Sequence, residues 1–161
     1  MSDTLIKMSD TMIITIWVCT MIFILIIMTI FGVLYGVSHM KALKALGYDK
    51  PWMAWVPFAN YWALAEVVLD GEENINLLGS FNVSATVFKL WWLIAYAIAF
   101  VPGVGSLLNL VVHIVCLGTC YIKMYARLDG RDEGEMQVLG YVSGFLPIIA
   151  IVKFLIGRYN D

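Results

Sequence analysis

Charge is what this chain has least of. Only 14% of its 161 residues are charged, against 61% hydrophobic, and the formal net charge is −2. Bulk electrostatics therefore selects neither nucleic acid nor a broad anionic surface as a partner. Cysteine is scarce as well. Cys19, Cys116 and Cys120 are odd in number and all sit in apolar runs, which excludes a complete disulfide framework. The short signatures of catalysis are missing too: there is no GxSxG, HExxH, CxxC or phosphate-binding lysine loop. Glu66 and Asp70 stand one helical turn apart, but no nucleophile, metal motif or phosphate loop lies near them, so the chain does not read as an enzyme.

What the chain has in excess is apolar length. With a mean hydropathy of +0.85 it is too apolar for a water-soluble domain, in which roughly half of the residues would be apolar. The expectation is an all-α integral membrane protein forming a single membrane domain over 1–161. About four transmembrane helices are expected, together with a Trp-rich interfacial or re-entrant helical hairpin. The amino-terminal stretch repeats Met-Ser-Asp-Thr at 1–4 and 8–11 around Lys7. From Met12 to Val37 the chain stays apolar, longer than the ~20 residues that span a bilayer, and it reads as an uncleaved helix. Gly32 and Gly36 form a GxxxG pair on it, and Gly47 supplies a stop.

The stretch Asp49–Asp70 organises the rest of the chain. It holds Pro51, Pro57 and the tryptophans Trp52, Trp55 and Trp62. Asp49 is placed to cap a helix starting at Pro51, and Pro57 should bend the chain near Val56. Asn60 and Glu66 would be costly inside hydrocarbon, so about 50–70 is expected to enter or line the membrane without crossing it.

Spans at about 12–37, 83–101, 106–125 and 137–156 put Lys41, Lys44, Lys50, Lys123, Arg127 and Arg131 on one side. Lys89 snorkels toward that side, and Lys7, Lys153 and Arg158 lie on the other. The positive-inside rule then puts both termini outside.

Three further patterns stand out. Asn109, His113, Cys116, Cys120, Lys123 and Arg127 follow steps of four and three, so they share one helix face. That face suits inward packing or, in an oligomer, a water-filled path with a basic mouth. His113, Cys116 and Cys120 are soft metal ligands, but one helix cannot complete such a site, so neither metal nor cofactor is expected. Gly140 and Gly144 make a second GxxxG, followed by Pro147, where a kink is expected. Finally, Pro57, Pro102 and Pro147 recur every 45 residues, each after a small, an aromatic and an aliphatic residue. Either three related units or the ordinary way a span ends at an interface accounts for this spacing.

The run Lys44-Ala45-Leu46-Gly47, followed by Trp52-Met53-Ala54-Trp55-Val56-Pro57-Phe58-Ala59-Asn60, resembles the signature of a family of small bacterial multi-pass membrane proteins of unknown function, the DUF5684-like group. Trp91-Trp92, Pro102 and Leu146-Pro147 match in order, and the resemblance covers roughly residues 40–157. Departures are Phe58-Ala59 before Asn60, an acidic insertion at 70–76 and a glycine-poor fourth span. The resemblance implies a bacterial cytoplasmic membrane and about four helices, and brings no activity.

Function is then expected to lie in interaction. The chain reads as an accessory, scaffold or anchor subunit of a membrane complex. Its partners would be the lipid bilayer and either a second copy or a larger membrane protein, reached through Trp52, Trp55, Pro57, Asn60, Trp62 and Glu66 and packed through the glycine pairs. The alternative is a homo-oligomeric channel or holin-like pore lined by the polar stripe.

Overall fold

The computed structural model describes residues 2–159, with side chains from Thr11 onward. Lys7 and the Met-Ser-Asp-Thr repeat, apart from Thr11, lie outside the described side chains. The chain is mostly helical and divides into two compact units, 1–34 and 35–161.

The first helix, α1, is continuous over Ser2–Ala45 and runs beyond the apolar stretch that ends at Val37 to the expected stop at Gly47, because nothing in the sequence breaks it earlier. There the Tyr48 N–H donates to Leu43 O and the Gly47 N–H to Lys44 O, with Gly47 at φ 74. This is the paired-bond helix stop that a left-handed glycine permits. In the first unit, every described side chain from Thr11 to Ile30 is exposed, on all faces of the helix. The hydroxyls of Thr15, Thr20 and Thr29 each donate back to the carbonyl four residues earlier at 2.8 Å. They thus need no outside partner, as a helix in hydrocarbon requires. Among the described residues, two helical stretches are long and apolar enough to cross a membrane: Thr11–Ala45 within α1, and Gly105–Asp129.

The second unit begins on the last turns of α1. A 3-10 helix, Pro51–Trp55, leads to α2, Ala59–Leu69. Asp49 does not cap it; Lys50 holds that position without a side-chain bond. The corner at Pro57 is tight. Phe58 adopts φ 65, ψ −39, and the Ala59 N–H donates to Pro57 O at 2.8 Å, a three-residue γ-turn that strains a non-glycine residue. Helix α2 packs one face into the unit, where Ala63, Leu64, Ala65, Val67, Val68 and Leu69 are all buried.

The acidic loop brings the first departure from an all-helical chain. Strands β1, Asn74–Leu77, and β2, Phe81–Ser84, pair antiparallel with Ile75 opposite Val83. Asn-Ile-Asn-Leu alternates with period two, Ile75 is buried, and Leu78 and Gly79 both take positive φ in the turn.

The expected span at 83–101 is corrected in turn. It starts inside β2, continues as α3, Ala85–Lys89, breaks at Leu90 and resumes as α4, Trp91–Ala99. Nine residues rise about 14 Å, well short of a bilayer core. Pro102 and Gly103, the latter at φ 83, turn the chain into α5, Gly105–Asp129, which packs antiparallel to α4 and forms the axis of the unit.

The expected fourth span, 137–156, is also corrected. It comprises α6, Glu133–Phe145, and α7, Pro147–Ile156, separated at Leu146, whose φ −120, ψ 85 is the extended conformation that a following proline imposes. Proline here produces a reversal and not a kink. Gly144 lies beside Gly118 and Ile114 of α5, yet nine residues later Lys153 bonds Asp129 at 2.6 Å and Phe154 meets the Tyr125 ring at 5.4 Å. Helix α7 therefore returns toward the end at which α6 began. All three prolines of the 45-residue spacing stand at helix interruptions, as expected.

The two glycine pairs differ. A Cβ on Gly144 would stand 2.8 Å from the backbone of both Gly118 and Ile114, and one on Gly140 would stand 2.9 Å from Ile122 N. Gly36 faces the Trp55 ring, whereas a Cβ on Gly32 would meet nothing within 4 Å. Gly144→Leu is therefore expected to lose roughly 1–3 kcal/mol or more through overpacking, and Gly32→Ala to lose nothing measurable. Denaturant unfolding in detergent micelles checks both.

Candidate functional site

Polar side chains in the second unit gather at the end where α1, α2, α5 and α7 all terminate. Helices leave their last carbonyls without intrahelical donors, and those ends carry partial negative charge. Two of these ends are satisfied by cations from other helices. Arg127 of α5 donates to Val67 O at 2.8 Å and Val68 O at 3.1 Å, and lies 3.4 Å from Asp70, which closes α2 in the left-handed conformation. Lys41 of α1 donates to Leu155 O at 3.0 Å and Gly157 O at 2.7 Å at the end of α7, with its ammonium 5.4 Å from the Tyr159 ring centre.

Glu66 is the centre of this region. Its Oε2 accepts from the Tyr48 hydroxyl at 2.7 Å and the Trp62 indole at 3.3 Å, and its Oε1 pairs with Lys89 at 3.1 Å. One carboxylate thereby ties the loop after α1, α2 and α3 together. The Tyr48 hydrogen bond, aided by Lys89, holds the Glu66 carboxyl below its ordinary range against an opposing desolvation. The Tyr48 hydroxyl moves up, through burial first, the hydrogen bond it donates to Glu66 second and the Glu66 charge third.

Beneath it lies a buried aromatic network that the sequence did not advertise. His39 is 1% exposed; its Nε2 is 2.9 Å from the Tyr121 hydroxyl and its Nδ1 2.9 Å from Tyr35 O. Phe154 packs edge-on against His39, and the Tyr125 hydroxyl donates to Ser143 Oγ at 2.9 Å. The only advance signal was spacing: Tyr35 and His39 are four apart on α1, and Tyr121 and Tyr125 four apart on α5.

The six-residue stripe on α5 points inward. Asn109 is half-buried, and His113 sits edge-on to Trp91 at 4.8 Å and Tyr61 at 5.4 Å. Cys116 and Cys120 are buried and free, Lys123 pairs with Glu133 at 3.4 Å, and Arg127 caps α2. Among the described residues no group of three or more His, Cys, Asp or Glu side chains is placed to hold a metal.

The tryptophan set divides. Trp52 is exposed, Trp55 lies against Gly36 with its indole 3.4 Å from Met40 Sδ, and Trp62 is half-buried on Glu66. Asn60 turns its Oδ1 onto the Tyr61 N–H at 2.7 Å, and Pro57 is exposed at the corner. Trp52, Trp55, Pro57, Asn60, Trp62 and Glu66 therefore do not form one surface.

Of the concavities along α5, two differ sharply in character. One, of about 300 Å³, is wholly apolar, with Phe88, Trp91 and Cys116 as its floor. The other, of about 490 Å³, is a polar cleft between the 46–50 loop and the end of α2, with Glu66, Asp70 and Arg127 in its walls.

Because the folded state depresses the Glu66 pKa, its stabilising contribution is complete above the ordinary glutamate value of 4.5 and fades as the pH falls below it. Glu66→Gln should lower the Tm at pH 7, and the gap between variant and wild type should close as the pH drops toward 3. Thermal scans in detergent across that range provide the check. Comparison with known proteins found no family model, curated protein or solved structure that matches the chain.

Proposed function

We propose that this chain is an accessory, scaffold or anchor subunit of a larger complex in the bacterial cytoplasmic membrane, of the DUF5684-like kind. The observation that carries the reading is α1: residues 11–30 expose apolar side chains around the whole helix, a surface that only lipid or other apolar helices can cover. The second unit offers a polar end where Glu66, Asp70, Lys89 and Arg127 are tied into its own frame. The pore alternative draws less support, because the stripe side chains are engaged within the chain: Lys123 and Arg127 in ion pairs, Cys116 and Cys120 in the core.

For topology, we infer that α1 and the α4–α5 hairpin account for the crossings, the bilayer thinning locally around α4 because that arm is shorter than its core, while the Pro57 and Pro147 hairpins enter from the basic side and return to it. The expectation of both termini outside needed a straight final span. With α7 folded back, Lys153 and Arg158 join Lys41, Lys44, Lys50, Lys89, Lys123, Arg127 and Arg131, so every lysine and arginine except Lys7 falls toward one side. This is a stronger charge asymmetry than four straight spans give, and it puts the amino-terminal end outside and residue 158 inside.

Single cysteines at positions 44, 104, 131 and 158 in a cysteine-free background test the topology. In right-side-out membrane vesicles, an impermeant maleimide should label position 104 alone until the membrane is opened. Labelling of position 158 from outside would overturn the inference.

The function is tested by mass measurement of the full chain in native nanodiscs. A stoichiometric second protein, lost on Trp52→Ala with the Tm unchanged, is the expected result. A homo-oligomer of this chain that conducts ions in liposomes would replace the accessory reading with the pore.

A further inference from the structure

The polar cleft beside α2 places both signs of charge around one opening. Its walls carry three carboxylates, Asp49, Glu66 and Asp70, and two cations, Lys50 and Arg127, around a volume of about 490 Å³. Asp49 and Lys50 are exposed and make no side-chain hydrogen bond or ion pair among the described residues, so each is available to a ligand. Arg127 spends two guanidinium nitrogens on Val67 O and Val68 O and lies near Asp70, yet its side chain keeps 33% of its exposure and has further N–H donors. The acidic groups accept only, and the cations donate only.

A ligand that satisfies both walls carries an N–H-bearing cation and an anion a few bonds apart. A phosphate alone would meet three carboxylates, and a bare cation would leave Lys50 unmatched. A choline-type cation has no N–H to give.

We propose that this cleft binds the headgroup of a lipid bearing a primary ammonium and a phosphodiester, as in phosphatidylethanolamine. Its ammonium lies against Asp49, Glu66 and Asp70, and its phosphate against Lys50 and Arg127. The proposal rests on the membrane reading of the chain, which places this end of the second unit at the headgroup layer. Charge-assisted hydrogen bonds from the ammonium to the carboxylates supply the selectivity. The Glu66 oxygens are held in place by Tyr48, Trp62 and Lys89, so that wall is rigid before the lipid arrives.

The test uses the full chain in nanodiscs of equal parts phosphatidylethanolamine, phosphatidylcholine and phosphatidylglycerol, with native mass spectrometry of the lipids retained after detergent exchange. Phosphatidylethanolamine should be retained about tenfold over phosphatidylcholine, the effect of one charge-assisted hydrogen bond. Asp49→Asn with Asp70→Asn should abolish that preference, and Lys50→Gln should lower retention of all three lipids. An unchanged Tm for each variant confirms that the cleft, and not the fold, was altered. Equal retention of the ethanolamine and choline lipids by wild type would overturn the proposal, as would a preference that survives the paired asparagine change. Carbonate extraction of native membranes separates the two levels. A chain released by carbonate overturns the membrane reading and the headgroup site together, while a carbonate-resistant chain without selectivity overturns the site alone.

Discussion

The second unit depends on how helix ends are satisfied where water is scarce. A helix that stops inside a protein leaves carbonyls that must find donors, and an unmatched buried carbonyl costs on the order of 1–3 kcal/mol. Here those donors come from cations on other helices: Arg127 reaches the end of α2, and Lys41 reaches the end of α7. Both hairpins are thereby fixed at the end where they return. Glycine handles the ends that no cation reaches, with Gly47 closing α1 and Gly130 closing α5 in the left-handed conformation. Asp132 performs the converse task at the start of α6, accepting from the Gly134 N–H.

This arrangement also explains how so few charges suffice. Lys89, Arg127, Lys123 and Lys153 each bridge two elements, to Glu66, Asp70, Glu133 and Asp129 respectively. Exposed pairs of this type contribute little individually, but the Glu66 group adds neutral donors to the ionic one, and Lys153 also lies 4.9 Å from the Tyr125 ring centre. The polar side chains thus hold returning hairpins to the frame, while the glycine face between α5 and α6 sets how closely those two helices approach.

Much of this was legible in the sequence. The stops at Gly47, Pro57, Pro102 and Pro147 follow from backbone chemistry alone, and the α5 stripe follows from helical spacing. Direction was not legible. Hydropathy counts apolar residues and carries no sign for which way they run, so 137–156 read as one kinked span although Pro147 reverses it. The strands at 74–84 were too short to outweigh the acidic residues just before them. Nothing in the sequence marks His39 as a buried hub, because its partners lie 82 residues away at Tyr121 and farther still at Phe154. The Glu66 site was half visible: the carboxylate drew notice as an expensive residue, but Tyr48 and Lys89 become its partners only through the fold.

The bond between Lys41 and Gly157 joins residues 116 positions apart. Synthesis proceeds at roughly 5–20 residues per second, so Lys41 waits on the order of ten seconds on the finished end of α1 before its acceptor exists. Through that interval His39 also lacks the Phe154 ring that later covers it, and the core of the second unit stays open on that side. Helix α7 is in this sense the closing piece of assembly: the earlier helices can dock as they emerge, but the unit becomes a sealed body only when its last ten helical residues turn back.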